Sequence, residues 1–194
     1  MANVQTYFEK FHDEIKLDDE NKILREKRDI LIDKLKKKLK DDFDEPPCFT
    51  HFNKGGYAMG LGVKPLDCDY DIDVGLEFEI KIDDYPDPVD VKEWVYNALN
   101  GHTDKVTIKK PCVTVQYHIN KEPAYHVDFA VYGKDGITAN LFLARGKPTS
   151  PSDERKWEFD DPKGLMKIIQ NKFSDENDRK QFRRIIRYLK RWKD

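Results

Sequence analysis

The sequence predicts an α+β fold: a mixed or antiparallel β-sheet flanked by helices, with a long N-terminal helix and the start of a C-terminal helical lobe. Three observations carry that reading. From Asp67 to Val74 acidic and apolar residues alternate at every second position, the period of a strand. Leu24, Leu31, Leu35 and Leu39 fall at spacings of seven, four and four, which is a single stripe on a helix. Phe182, Ile185, Ile186, Leu189 and Trp192 form a second helical stripe on a strongly basic stretch.

Taken in order, residues 3–15 suit a short helix and 20–42 a long one, whose Lys34 and Lys36 to Lys38 make a solvated face. Pro46-Pro47 ends it. A strand over 48–52, a compact loop at Gly55-Gly56 and a strand over 69–80 follow. Asp87 as N-cap and Pro88 at the first helical position start a helix carrying Val91, Trp94, Val95 and Leu99, stopped by Asn100-Gly101. Strands are expected at 105–109, at 112–119 with Val113, Val115, Tyr117 and Ile119 on one side, and at 124–132. In the last of these Val127, Phe129 and Val131 face the core, and His126 and Asp128 face away. Residues 133–160 read as a long loop with one short strand at 137–143, and a loop of that length is usually functional. Asp161-Pro162 opens a helix to about Phe173, and Ser174 with Asp175 and Glu176 opens the last one.

The 194 residues suit one domain, or a compact core with a helical annex. With 38% hydrophobic and 37% charged residues the core is modest and the surface densely ionic, while 12% aromatics argue against disorder. The net charge of −2 says nothing about partners, but its distribution does. Acids crowd 67–90, and bases crowd 22–40 and 179–193. Three cysteines without a CxxC pair fit a reduced, cytoplasmic chain with no structural zinc. No apolar h-region and no apolar run near ~20 residues is present, so neither a signal peptide nor a membrane span is expected. The last helix still runs at Asp194 with no C-cap glycine. The expectation is therefore a truncated chain, divided into a core over 1–160 and the beginning of a helical lobe over 161–194.

The chemistry gathers in 52–78. Gly55 and Gly56 form a turn whose backbone N–H groups can face an anion without Cβ interference. Asp67, Asp69, Asp71 and Asp73 would all project from one strand face, roughly 6–7 Å apart at their Cα atoms. Stacked, unpaired carboxylates are costly unless they share cations. An acidic strand face can also be a solvated guard against aggregation. The upstream Gly-Gly turn and the distant Asp128 favour function. Two-metal nucleotidyl transfer needs acids for a metal on the triphosphate, an acid for a metal at the attacking hydroxyl, and backbone donors for the β- and γ-phosphates. Asp71, Asp73 and Asp128 with Gly55-Gly56 supply all three, and oxygen ligands favour Mg²⁺ or Mn²⁺. Asp69 and Asp71 fit the same Asp-x-Asp spacing.

At these residues the sequence resembles the DNA polymerase β-like nucleotidyltransferase superfamily. Gly-Gly-Tyr-Ala, Lys-Pro-Leu-Asp-x-Asp-Tyr-Asp-Ile-Asp-Val-Gly, His-Val-Asp-Phe-Ala-Val-Tyr, Leu-Ala-Arg-Gly-Lys, Trp-Glu-x-x-Asp-Pro-Lys-Gly-Leu and Tyr-Leu-Lys-Arg-Trp-Lys-Asp look more closely like the bacterial cGAS/DncV-like nucleotidyltransferases (CD-NTases). The likeness spans about 48–194. It implies a two-lobed enzyme making cyclic di- or trinucleotides from NTPs, with pyrophosphate release, as an antiphage second messenger. It implies Asp71 and Asp73 as paired metal ligands, Asp128 as the third, Lys190 on the donor triphosphate, and other defence-operon proteins as partners. Gly56 stands where many relatives have serine, which removes one phosphate contact and leaves the backbone donors.

Tyr57 is a candidate to stack on a base, while Tyr70 alternates onto the core face. His126 is a metal-ligand candidate weighed against a structural hydrogen bond. Arg145, Lys147, Lys163 and Asn171 are weaker candidates for nucleotide contacts, and the basic face Arg179, Lys180, Arg183, Arg184, Arg187 and Lys190 for the triphosphate side of the cleft. Two other functions fit the same residues: a linear transferase acting on RNA or protein, and a non-catalytic nucleotide-binding regulatory module. A nucleic-acid activator is not expected, because one basic helix is a thin electrostatic footprint.

Overall fold

The computed structural model describes residues 4–138 and 140–193. Helix α1 (Gln5–Ile15) and the long α2 (Glu20–Asp42) lead into β1 (Phe49–Asn53), a one-turn helix α3 (Gly55–Ala58) and β2 (Tyr70–Lys81). Then come α4 (Pro88–Leu99), β3 (Lys105–Ile108), β4 (Val113–Ile119), β5 (Glu122–Lys134), β6 (Leu141–Ala144), β7 (Trp157–Phe159), α5 (Pro162–Gln170) and α6 (Glu176–Lys193).

Among the described residues seven strands form one mixed sheet in the order β1-β2-β5-β4-β3. β6 pairs with β5 beyond β4, and β7 with β6. The central pair β2 and β5 is parallel and the other pairings are antiparallel. One face is covered by α2 and α4. Leu24, Leu31, Leu35 and Leu39 are all buried, as their spacing predicts, and pack with Ile72, Val74, Leu76, Phe78, Val127, Phe129 and Val131. Alternation then puts Asp71, Asp73 and Glu77 of β2 on the other face, with His126, Asp128 and Tyr132 of β5.

α4 begins as expected: Asp87 Oδ1 accepts from the Val89 N–H at 3.0 Å, with Pro88 at the first position. Gly101, at φ +74°, turns the chain after Asn100. Asp175 caps α6, its Oδ1 accepting from the Asn177 and Asp178 amides.

Four expectations are corrected. The acidic ladder does not run along one strand, because β2 starts only at Tyr70. Cys68 has φ +60° and Asp67 Oδ1 accepts from the Asp69 N–H, so Asp67 and Asp69 belong to a turn. The Gly55-Gly56 segment is a helical turn rather than a loop. The stretch 133–160 holds two strands, β6 displaced from 137–143 to 141–144 and β7, because Leu141 to Ala144 continue the sheet beside the end of β5. Ile119, placed with the apolar side of its strand, is 56% exposed at the hairpin end. No helix among the described residues is long and apolar enough to cross a membrane.

Candidate active site

The parallel register of β2 and β5 sets Asp73 directly opposite Asp128, and Asp71 opposite His126. Asp71 is exposed, while Asp73 and Asp128 are half-buried. Burial, then the charges of Asp71 and Asp128, push the Asp73 carboxyl above the usual carboxylate range, and Lys54 and His126 oppose this. Asp128 Oδ1 accepts from Thr114 Oγ1 of the neighbouring β4 at 2.5 Å and lies 3.9 Å from Lys109 Nζ. Asp69 is engaged elsewhere: its Oδ1 accepts from Gln116 Nε2 at 2.9 Å and lies 3.1 Å from His126 Nδ1. His126 thus makes the structural hydrogen bond that was weighed against ligation.

The glycine turn lies against these acids. Lys54 N–H donates to Asp73 O at 2.9 Å, joining the turn to β2. Gly55 has φ +64°, and a Cβ there would fall 1.9 Å from Asp73 Oδ2, so two independent constraints require glycine. Gly56 has an ordinary φ, and a Cβ would come tightly only on Lys190 Nζ, at 3.1 Å, with Leu61 backbone at an ordinary 3.9 Å. The sequence singled out Lys190, 134 positions downstream of Gly56, and α6 brings its ammonium to this turn.

α6 reaches the site by gripping the segment after α3. Lys190 Nζ donates to Leu61 O at 3.3 Å, Arg187 to Gly60 O (2.6 Å) and Gly62 O (3.2 Å), and Arg191 to Lys64 O. Among the described residues no carboxylate forms an ion pair with Arg183, Arg184, Arg187, Lys190 or Arg191. Burial, then Arg183 and Arg184, lower the Arg187 pKa.

The remaining candidates lie in other surroundings. Tyr57 packs on the main core and borders a cavity of about 50 Å³ with Leu17, Asn21 and Arg187. Tyr70 stacks on Tyr125. Arg145 pairs with Glu158 at 3.7 Å. Lys163 pairs with Glu77 at 2.5 Å and sits over the Phe52 ring. Glu77, also 3.0 Å from Lys134, is lowered despite its burial because those two lysines hold it charged. Lys147 and Asn171 are exposed. Sequence reasoning missed Thr114, Lys109 and a chain from Lys54 through Tyr132 to Asp160; only Lys54, adjacent to the glycines, carried any local signal.

Among the described residues no three His, Cys, Asp or Glu side chains already converge on one point. The donor set nevertheless suits a hard divalent cation, being carboxylate oxygens on adjacent strands, with one carboxyl raised by its acidic neighbours.

The domain of cyclic GMP-AMP synthase DncV-like proteins that carries nucleotidyltransferase activity matches residues 49–132, a span holding the turn and all three acids. Residues 49–132 are similar to a DncV-like nucleotidyltransferase domain. A cyclic GMP-AMP synthase of Escherichia albertii is 29% identical to this chain over 177 residues, which is 86% of the chain. The chain spans 36% of that protein's length. The DncV-like fold extends past the matched span. Vibrio cholerae DncV cyclic AMP-GMP synthase superposes with a TM-score of 0.70 at 15% identity, covering 93% of this chain and 63% of that one. Bradyrhizobium diazoefficiens CdnG, solved with GTP, superposes with a TM-score of 0.67 at 14% identity, over 87% and 47%. The polymerase β-like α+β fold expected from the sequence is therefore the fold the chain has.

Proposed function

We propose that the protein joins NTPs into a cyclic di- or trinucleotide with release of pyrophosphate, and that Asp71, Asp73 and Asp128 are its metal-binding acids. The observation that carries this is the placement of Asp73 opposite Asp128 with its carboxylate packed under Gly55. Acids and anion-binding turn then share one face, as nucleotidyl transfer requires. Asp71 and Asp73 are favoured over Asp69 and Asp71 because Asp69 is already occupied by Gln116 and His126.

In this reading the amides of the Gly55-Gly56 turn and the Lys190 ammonium hold the β- and γ-phosphates, and Tyr57 borders the donor nucleotide. Thr114 orients Asp128 by donating to one of its oxygens. Two Mg²⁺ or Mn²⁺ ions, held by Asp71, Asp73 and Asp128, would lower the pKa of the attacking hydroxyl and neutralise the leaving pyrophosphate. The product serves antiphage signalling in the cytoplasm, with other defence-operon proteins as partners. We assign 1–160 to the catalytic core and 161–194 to the start of a helical lobe. The exposed Leu165 and Ile168 of α5 and Ile185, Leu189 and Trp192 of α6 support this as faces for further helices.

The deciding experiment is pyrophosphate release by the full-length protein from all four NTPs with Mg²⁺ or Mn²⁺, then phosphatase treatment and mass analysis. A phosphatase-resistant product is expected. Only phosphatase-sensitive products would mean a linear transferase, and nucleotide binding without release a regulatory module. Asp71→Asn and Asp128→Asn should each lower release at least ~10²-fold while leaving the melting curve nearly unchanged.

A further inference from the structure

Lys54 sits immediately before the glycine turn on the acid-bearing face, and its charge is felt at Asp73. A half-buried ammonium beside an unpaired carboxylate would ordinarily close an internal ion pair. No such pair forms between Lys54 and Asp71, Asp73 or Asp128. Lys54 Nζ instead donates to Tyr132 Oη at 2.6 Å and lies 3.7 Å from Asp160 Oδ2. Tyr132 Oη in turn donates to that same Asp160 oxygen at 2.7 Å. Tyr132 is fully buried and its ring tilts against Phe52, so its hydroxyl has a fixed position. Asp160 stands just ahead of Asp161, the N-cap of α5.

The contrast with Lys109 shows what is at stake. Lys109, half exposed, lies 3.9 Å from Asp128, and a solvated pair of that kind costs little to displace. The Lys54 side chain is only 20% exposed. An ion pair made there with Asp73 would be largely desolvated, and a cation would have to break it before binding.

We propose that Tyr132 and Asp160 are positioning residues that hold the Lys54 ammonium off Asp73 and so keep that carboxylate open to a divalent cation. The proposal rests on the reading of Asp73 as a metal-binding acid. Lys54 is thereby a standing positive charge behind the turn that does not compete for the acids. The segment before α5 controls it from the far end of β5.

The test is Mn²⁺ titration followed by electron paramagnetic resonance, on the full-length protein, with and without a non-hydrolysable ATP analogue. Tyr132→Phe and Asp160→Ala should each weaken Mn²⁺ binding about tenfold, ~1.4 kcal/mol. Adding Lys54→Met to either should restore binding to about the parent level, since the competitor is gone. A loss caused merely by a damaged fold would not be rescued in this way. Parent-like binding in both single variants, or double variants as weak as the singles, overturns the proposal. Asp73→Asn separates it from the underlying reading. If the parent shows no Mn²⁺ site that depends on Asp73, the metal assignment falls and this proposal with it. If such a site exists but ignores Tyr132 and Asp160, only the positioning role falls.

Discussion

At the scale of single residues, the glycine turn separates two adjacent positions that look alike in sequence. Gly55→Ala meets both a left-handed backbone, costing about 1–2 kcal/mol by itself, and the Asp73 carboxylate in the space its Cβ would take. Thermal denaturation should show that loss together with weakened Mn²⁺ binding. Gly56→Ser comes tightly only on the flexible end of Lys190, so it should melt within a degree or so of the parent, well inside the ~0.5 kcal/mol typical of tolerated substitutions. Asp73 makes a prediction of opposite sign. Its carboxyl is raised in the fold, so the native state binds more protons than the unfolded chain, and stability falls as pH climbs above the ordinary carboxylate value of 3.8 through the raised one. Asp73→Asn should therefore melt above the parent in metal-free buffer at pH 7, lose that advantage in acid, and release no pyrophosphate. The acids themselves were legible from spacing alone. Which of them the fold leaves without a side-chain partner was not, because that depends on Cys68 ending the extended backbone and on Gln116 and His126 reaching Asp69 from other strands.

At the scale of elements, α4 carries a residue that no periodicity would put inside. Lys92 is fully buried, and its ammonium donates to the carbonyls of Lys109 (2.5 Å), Lys110 (3.0 Å) and Gly146 (2.5 Å). Three protons meet three acceptors, which fixes the β3–β4 turn, and Lys109 with it, against the segment after β6. Burial pulls the Lys92 pKa down from 10.5 to about 8. The native state therefore sheds this proton before the unfolded chain does, and stability rises with pH between those values by roughly 3 kcal/mol. Urea unfolding of the parent between pH 8 and 10.5 should show the rise relative to Lys92→Met. At pH 7 the variant should be the less stable, by about 1–3 kcal/mol, because its carbonyls lose their donor. The helices and central strands follow from local pattern, since caps and apolar stripes act over a few residues. β7 escaped because it has three residues and pairs only with β6, so its existence depends on where β6 lies.

At the scale of the whole molecule, the first and last helices meet across the chain. Tyr188 of α6 donates its hydroxyl to Phe8 O at 2.9 Å, and its ring packs on Phe8 and Phe11 of α1 with centroids 5.5 Å apart. Such ring pairs contribute about 0.5–1.5 kcal/mol each beyond burial. Tyr188→Ala should raise hydrogen exchange across residues 5–15 and in α6 while β2 and β5 keep their protection. Nothing in residues 3–15 foretells this, because the partner lies at the other end of the sequence. The same distance explains why Lys190 was reached through resemblance rather than spacing.

Arg187, Lys190 and Arg191 sit three and four residues apart, so among the described residues one stripe of α6 supplies the side-chain hydrogen bonds to the backbone carbonyls of Gly60–Lys64. The middle member has the longest of these contacts, 3.3 Å, and is the one beside Gly56. An arriving polyphosphate could draw Lys190 away at the expense of one carbonyl contact, while the flanking arginines keep the segment where it was. On the proposed reading, the fold thus has a spare fastening at the one point where a fastening also serves as a hand.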